Sequence, residues 1–318
     1  MLEIFGITFP IFAIVALGYV TVYKGVFEPG DMTVLGKFVM TIALPALMFS
    51  AVTGQGAGMI LDPSYIAGYA LAGLFVIVFA LIWFRLNLLR TPTGPARRAI
   101  AVMGTACPNS AYVGFPVLLL AVPDVAAQAF AMNILVESFL IVPICFLLVG
   151  SSRPSKGKPL LRVAIDALWS VVRKPMVIGL LAGLAVSASG LTLPDPFTKL
   201  VDTMASSTAA LALFFIGGTL VSLPMRGNVV MAGEVVAGKL LVHPAMAMVA
   251  AMVLIPLGLP GLSDPLRIAL ILSAAMPMMG IYAIFAHDYG HEGLASLGLF
   301  GATVGAFVTV SAFLAILL

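Results

Sequence analysis

The sequence is a succession of apolar stretches separated by short clusters of glycine, proline and charge. Each stretch is close to the roughly 20 residues of helix that cross the hydrocarbon layer of a bilayer. With the clusters as punctuation, ten segments emerge, at about 4–23, 32–52, 64–86, 96–120, 126–149, 168–188, 199–222, 228–253, 264–286 and 293–317. A soluble fold is excluded because 62% of the residues are hydrophobic and only 9% charged. Soluble domains carry roughly a quarter of their residues as charges, enough to clothe an apolar core. The first segment, MLEIFGITFPIFAIVALGYV, has no basic leader and no small-residue cleavage site, and reads as a retained span. With ten spans, thirteen of the sixteen Lys and Arg fall on one side, Lys199 and Arg267 on the other, and Lys239 inside a span. That bias places both termini outside. The longest polar interval, SSRPSKGKPLLRVAIDALWSVVRK, joins the fifth and sixth spans, and its RVAIDALW portion is expected on the membrane surface.

The two halves carry related punctuation. A shift of 165 positions sets Pro10 over Pro175, Gly18 over Gly183 and Pro29 over Pro194. Farther on, PARRAIAVMGTACP resembles PLRIALILSAAMP. The chain divides into 1–150, a linker at 151–167, and 168–318. A repeat of five spans, an odd number, enters the membrane from opposite sides in its two copies, which is the inverted-repeat plan of many secondary transporters. The expected fold is therefore an all-α polytopic membrane protein of ten transmembrane helices in two inverted five-helix repeats, with helices four and nine broken and crossing. In the fourth span, ACPNSAYVGFP places Pro108, Asn109, Ser110, Gly114 and Pro116 where a helix would need every amide hydrogen. In the ninth, SAAMPMMGIYA places Pro277, Met278 and Gly280 in the comparable position. Irregular backbone at that depth must lie in protein or against water. Facing breaks with free amides and positive half-helix ends would seat a carboxylate; the bland alternative is two kinks repaired locally.

The run CPNSAYVGFPV resembles the fourth-helix signature of the auxin efflux carrier family of permeases. Asn109, Ser110, Tyr112, Gly114 and Pro116 fit it, while Ala111 stands where many members have glycine. YVTVYKGVF and LGKFVMTIALPALMFS are similar to the family's first two helices. The resemblance, which covers essentially all ten spans, implies a fold like that of plant auxin exporters and, more distantly, bile-acid sodium symporters. Helices one, two, six and seven would form a scaffold, and three to five with eight to ten a transport domain. It also implies that Asn109 touches a substrate carboxylate, and the closest bacterial likeness is to permeases for malonate or related organic acids.

The residues themselves leave alternatives open. Asn109 could donate to an anion or cap a half-helix, and Tyr112 could supply a hydroxyl or an apolar wall. Asn133 and Glu137, four apart, share a face of the fifth span. A carboxylate at that depth must be protonated, paired or wetted, which makes Glu137 a proton-coupling candidate or an anchor for the crossing. On the eighth span Lys239 and His243 share a face, with Glu234 before them. Lys239 could neutralise the anion or pair with a carboxylate; His243, next to Pro244, is expected near the outer boundary. Pro45 and the small residues of TIALPALMFS and SSTAALALFF suggest close backbone packing, which could serve either the substrate wall or a homodimer contact.

Cys107 and Cys145 read as buried thiols, and Met276, Met278 and Met279 as core packing. No metal, cofactor or nucleic acid is implied, and the absence of a GK[ST] phosphate loop leaves no sign of nucleotide hydrolysis. His287, Asp288, His291 and Glu292 fall in an expected cytoplasmic turn. The expected function is secondary transport of a small organic anion, a mono- or dicarboxylate, across a bacterial inner membrane, coupled to protons or to the potential. A sodium-coupled symporter and a non-transporting sensor are the alternatives.

Overall fold

A computed structural model describes residues 2–53, 61–89, 94–152, 169, 172–223 and 227–317. The surface lead-in expected at RVAIDALW, nearly all of the linker and several of the basic loop residues lie outside the described residues. The elements run α1 (Leu2–Tyr23), α2 (Pro29–Thr53), α3 (Pro63–Leu86), α4 (Pro95–Ala106), α5 (Ser110–Ala121), α6 (Pro123–Ser151) and α7 (Pro175–Ser189). They continue with α8 (Asp195–Leu220), α9 (Val229–Val253), α10 (Asp264–Ala275), α11 (Ile281–Asp288) and α12 (Glu292–Leu317). Proline opens many of them, because a first-turn residue needs no intrahelical donor. Side chains complete some starts: the Asp62 carboxylate accepts the Tyr65 amide at 2.9 Å and Asn228 the Met231 amide at 3.0 Å.

Among the described residues seven helices are long and apolar enough to cross a membrane: α1 from Phe5, α2, α3, α6, α8, α9 and α12. Their outward faces carry apolar side chains such as Val34, Ile82, Met252 and Val308, each more than half exposed. Water would not tolerate a surface so apolar on so many helices; the chain is a multi-pass membrane protein. The remaining three expected spans are not continuous long helices. Two are the interrupted segments α4–α5 and α10–α11. The third is α7, whose 15 residues rise only about 22 Å.

Prolines shape the long helices in a way the sequence reading did not anticipate. Four π-helical turns, Val39–Ala43, Ser110–Gly114, Glu137–Ile141 and Gly238–Val242, each begin six residues before a proline, at Pro45, Pro116, Pro143 and Pro244. A proline cannot bond to the carbonyl four residues back, and its ring presses on that carbonyl. The turn widens, and the residue before the proline donates five back instead: Leu44 to Val39, Phe115 to Ser110, Val142 to Glu137 and His243 to Gly238.

Close packing is built on glycine. A side chain at Gly18 of α1 would strike the Phe214 carbonyl of α8, and one at Gly217 the Val15 carbonyl. On α7, Gly179 lies against the Pro45 backbone of α2 and Gly183 against that of Phe49. The small-residue stretch around Pro45 is thus used within the chain. α1, α2, α7 and α8 pack chiefly on one another, while α3–α6 pack with α9–α12.

Candidate functional site

The two interruptions meet. Between α4 and α5 the chain is extended at Cys107–Asn109, and between α10 and α11 around Met276–Met278. They lie antiparallel as a one-residue bridge between Pro108 and Met278. The Asn109 amide donates to the Pro277 carbonyl at 2.7 Å, and the Met279 amide to the Cys107 carbonyl at 3.1 Å. Buried backbone polar groups must find partners, and here each break supplies the other's. This revises the expected anion seat: Pro108 and Pro277 have no amide hydrogen, and the amides of Asn109 and Met279 are taken. The donors left for a ligand come from side chains and from the first turns beyond the breaks.

Asn109 supplies both. Its carboxamide oxygen accepts the Tyr112 amide at 3.1 Å and so caps α5. The residue also belongs to the wall of a cavity of about 460 Å³, together with Pro108, Ser110, Tyr112, Glu137 and Gly280. Of the other candidates, Pro277 and Met278 are held in the crossing and Gly114 packs toward Met276; none of the three lines the cavity.

The cavity's carboxylate is anchored by hydroxyls. Glu137 Oε1 accepts from Tyr69 at 2.7 Å and from Ser110 Oγ. One turn earlier, the Tyr65 hydroxyl donates to Asn133 Oδ1 at 3.0 Å, and Asn133 Nδ2 donates to Ser273 Oγ at 2.8 Å. Two rungs thus tie α3 to α6, one reaching α5 at the first break and the other α10 at the second. Asn133 is fully buried and lies behind the cavity wall. The tyrosines were not singled out in the sequence because tyrosine in a span is ordinarily an interface residue; their i, i+4 spacing, matching that of Asn133 and Glu137, was the available signal.

Lys239 and His243 behave differently from expectation. Both are buried, and neither lines the cavity. Lys239 Nζ donates to the Ala274 carbonyl at 2.7 Å and meets His243 Nδ1 at 2.8 Å. The contact ties the two side chains together, one helical turn apart on α9. The lysine complements the negative C-terminal end of α10 just before the break. His243, expected at the outer boundary, is held in the interior by that bond. Glu234 is engaged elsewhere, with Oε1 accepting from Trp83 Nε1 at 3.0 Å. His287 pairs with Glu292 at 2.7 Å on the exposed turn. Cys107 and Cys145 are buried free thiols with their sulfurs 3.6 Å apart.

Tyr112 performs neither expected duty alone. Its ring lies 5.0 Å from that of Phe215 on α8, and its hydroxyl reaches the Gly36 carbonyl of α2 at 3.4 Å. The pair, with Met40 and Thr219, also lines a second, more open cavity of about 500 Å³ that extends to Lys37 and Ser222. Tyr112 and Phe215 thus form the shared wall between a central chamber and a vestibule.

The broken helices satisfy each other's backbone groups beside a chamber lined by Asn109, Ser110 and Glu137, and relatedness gives that chamber its class, a membrane transporter rather than an enzyme. The profile of the family described as "Membrane transport protein" matches residues 4–314, and the chain belongs to that family, the auxin efflux carrier family. It is 29% identical over 292 residues, 91% of this chain and 88% of the other, to a Rhizobium meliloti (strain 1021) protein described as "Putative malonate transporter". It is 25% identical over 219 residues, 68% of each chain, to "Uncharacterized transporter YfdV" of Escherichia coli (strain K12).

Proposed function

We propose that the protein is a secondary carrier of a small organic anion, a mono- or dicarboxylate of the malonate kind, working by alternating access in a bacterial inner membrane with both termini outside. The observation that carries this reading is the chamber at the crossing, lined by Asn109, whose side chain carries amide donors, and by Glu137. The amides of Ser110 and Ala111, in the first turn of α5, precede its hydrogen-bond ladder and add the positive end of a helix. The malonate description of the Rhizobium relative agrees with that chemistry. Glu137 is the proposed proton-coupling group, with Tyr69 and Ser110 steadying its carboxylate.

The same reading takes α4–α5 and α10–α11 as the fourth and ninth of ten spans in two inverted repeats. Two observations support it. The rungs Tyr65–Asn133 and Tyr69–Glu137 keep register only if α3 and α6 run in the same direction, so the broken segment between them crosses the membrane once. The packing also repeats: under the shift that carries Gly18 to Gly183 and Phe49 to Phe214, the contact of Gly18 with Phe214 becomes that of Gly183 with Phe49. α1, α2, α7 and α8 are then the scaffold and the other elements the transport domain, with Tyr112 and Phe215 as a gate between them. The vestibule lies at the end that the basic residues assign to the cytoplasm, so parting of Tyr112 and Phe215 would open the chamber to that side. Flux of radiolabelled malonate into liposomes under imposed proton, sodium and voltage gradients tests the proposal. Accumulation driven by the proton gradient or voltage is expected; sodium dependence would make the carrier a sodium symporter, and binding without flux would make it a sensor.

A further inference from the structure

One charge on the chamber wall has no counterpart in the site described so far. Lys174 stands at the start of α7, half-buried, and lines the same cavity as Asn109, Ser110 and Glu137. Among the described residues its ammonium has no ion-pair partner. The single carboxylate of that wall, Glu137, takes its hydrogen bonds from Tyr69 and Ser110 and makes no contact ion pair with the ammonium. Nor does its own helix call for the charge: Lys174 is the N-cap of α7 and makes no side-chain cap, and a cation at the positive end of a helix is disfavoured. The rest of the lining is largely apolar, with Met40, Phe215, Ile284 and Leu299 among it. An ammonium without a contact ion pair in such surroundings attracts added negative charge more strongly than the same group in open water.

We propose that Lys174 receives the second carboxylate of a dicarboxylate whose first lies at Asn109, and that it is the residue by which the chamber selects doubly charged short acids over singly charged ones. The proposal rests on the carrier reading above and narrows it. Neutral amide donors serve one carboxylate whatever the rest of the ligand is; a free ammonium rewards only a second. Asn109 and Lys174 also stand on different packing groups, α3–α6 with α9–α12 against α1, α2, α7 and α8. A dianion held by both bridges the two groups, whereas a monoanion engages one.

The test is binding and uptake of radiolabelled malonate and propionate by the full-length protein in liposomes, for the parent, Lys174→Gln, Lys174→Met and Lys174→Arg. The parent is expected to prefer malonate at least tenfold. Lys174→Gln and Lys174→Met should lower malonate affinity about tenfold or more and change propionate affinity less than twofold, while Lys174→Arg keeps most of the preference. Lys174→Met retains the aliphatic stem, and the parent's melting temperature and monodispersity identify variants that still fold. Unchanged preference in the folded neutral variants, or equal loss for both acids, overturns the assignment. A parent that carries both acids equally well overturns it too, yet leaves the organic-anion carrier standing; a parent that takes neither overturns both.

Discussion

At the scale of single residues, polar groups inside the bilayer are affordable only when their partners are close, and three of them separate structural from transport duties. Asn109 caps and lines at once: its carboxamide oxygen holds the first turn of α5, and the residue lies on the chamber wall, where the proposed role of its amide group is to meet the substrate. Asn109→Ala should cost about 1 kcal/mol as a lost cap, a small fall in melting temperature, but abolish malonate uptake; uptake at the parent's rate would remove Asn109 from the site. Glu137→Gln keeps an acceptor for Tyr69 and Ser110 while removing the titratable group. The variant should still bind substrate, with an uptake rate that no longer varies with external pH; a pH profile like the parent's would assign coupling elsewhere. Asn133 lies behind the wall, so its role is support. Asn133→Leu strips the Tyr65 and Ser273 hydroxyls of their shared partner, at about 1–3 kcal/mol for each orphaned group. Thermal unfolding in detergent should show that loss, and an unchanged melting temperature would mean that water replaces the amide.

Among elements, proline and glycine do most of the shaping, for opposite reasons. Proline removes a donor, and four helices answer with a wider turn that begins at Val39, Ser110, Glu137 and Gly238. Two of those starting residues bond each other across α5 and α6, so the turns that relieve the prolines also aim the site. The prolines were visible in the sequence, but of these four only Pro116 was read there as interrupting a helix. The π geometry was not visible, because a proline's effect on the preceding turn depends on whether neighbouring helices let that turn expand. Glycine instead removes a side chain where helices touch through their backbones. Gly18→Leu would drive a side chain into the Phe214 carbonyl. Overpacking costs about 1–3 kcal/mol, and more where the obstacle is backbone. Expression as a monodisperse protein should fall sharply and the melting temperature by several degrees. Gly6→Ala, where nothing lies within 4 Å, is the control and should behave like the parent.

For the whole molecule, the question is whether the two packing groups move against each other. Tyr112 and Phe215 stand on opposite sides of that boundary, with ring centres 5.0 Å apart. A Tyr112→Cys/Phe215→Cys pair, joined by a short thiosulfonate cross-linker in a background with Cys107 and Cys145 replaced, should stop uptake and recover it on reduction. Each single variant should be insensitive to the reagent. Transport that continues in the linked protein would show that the groups need not separate.

The sequence by itself determined the solvent, the helical class, the places where helices break and the presence of a polar cluster beside the first break. Those properties follow from local chemistry: chain segments without charge seek lipid, proline lacks a donor, and residues four apart share a helix face. Only the tertiary structure decided what the breaks do with their amides, and it spent them on each other. It brought Lys239 and His243 together at the end of α10, put Tyr65 and Tyr69 behind Glu137 and Asn133, and brought Lys174, distant in sequence, to the chamber wall. Each outcome depends on which partner lies within about 3 Å, the reach of a hydrogen bond, and no periodicity along a single chain records that distance.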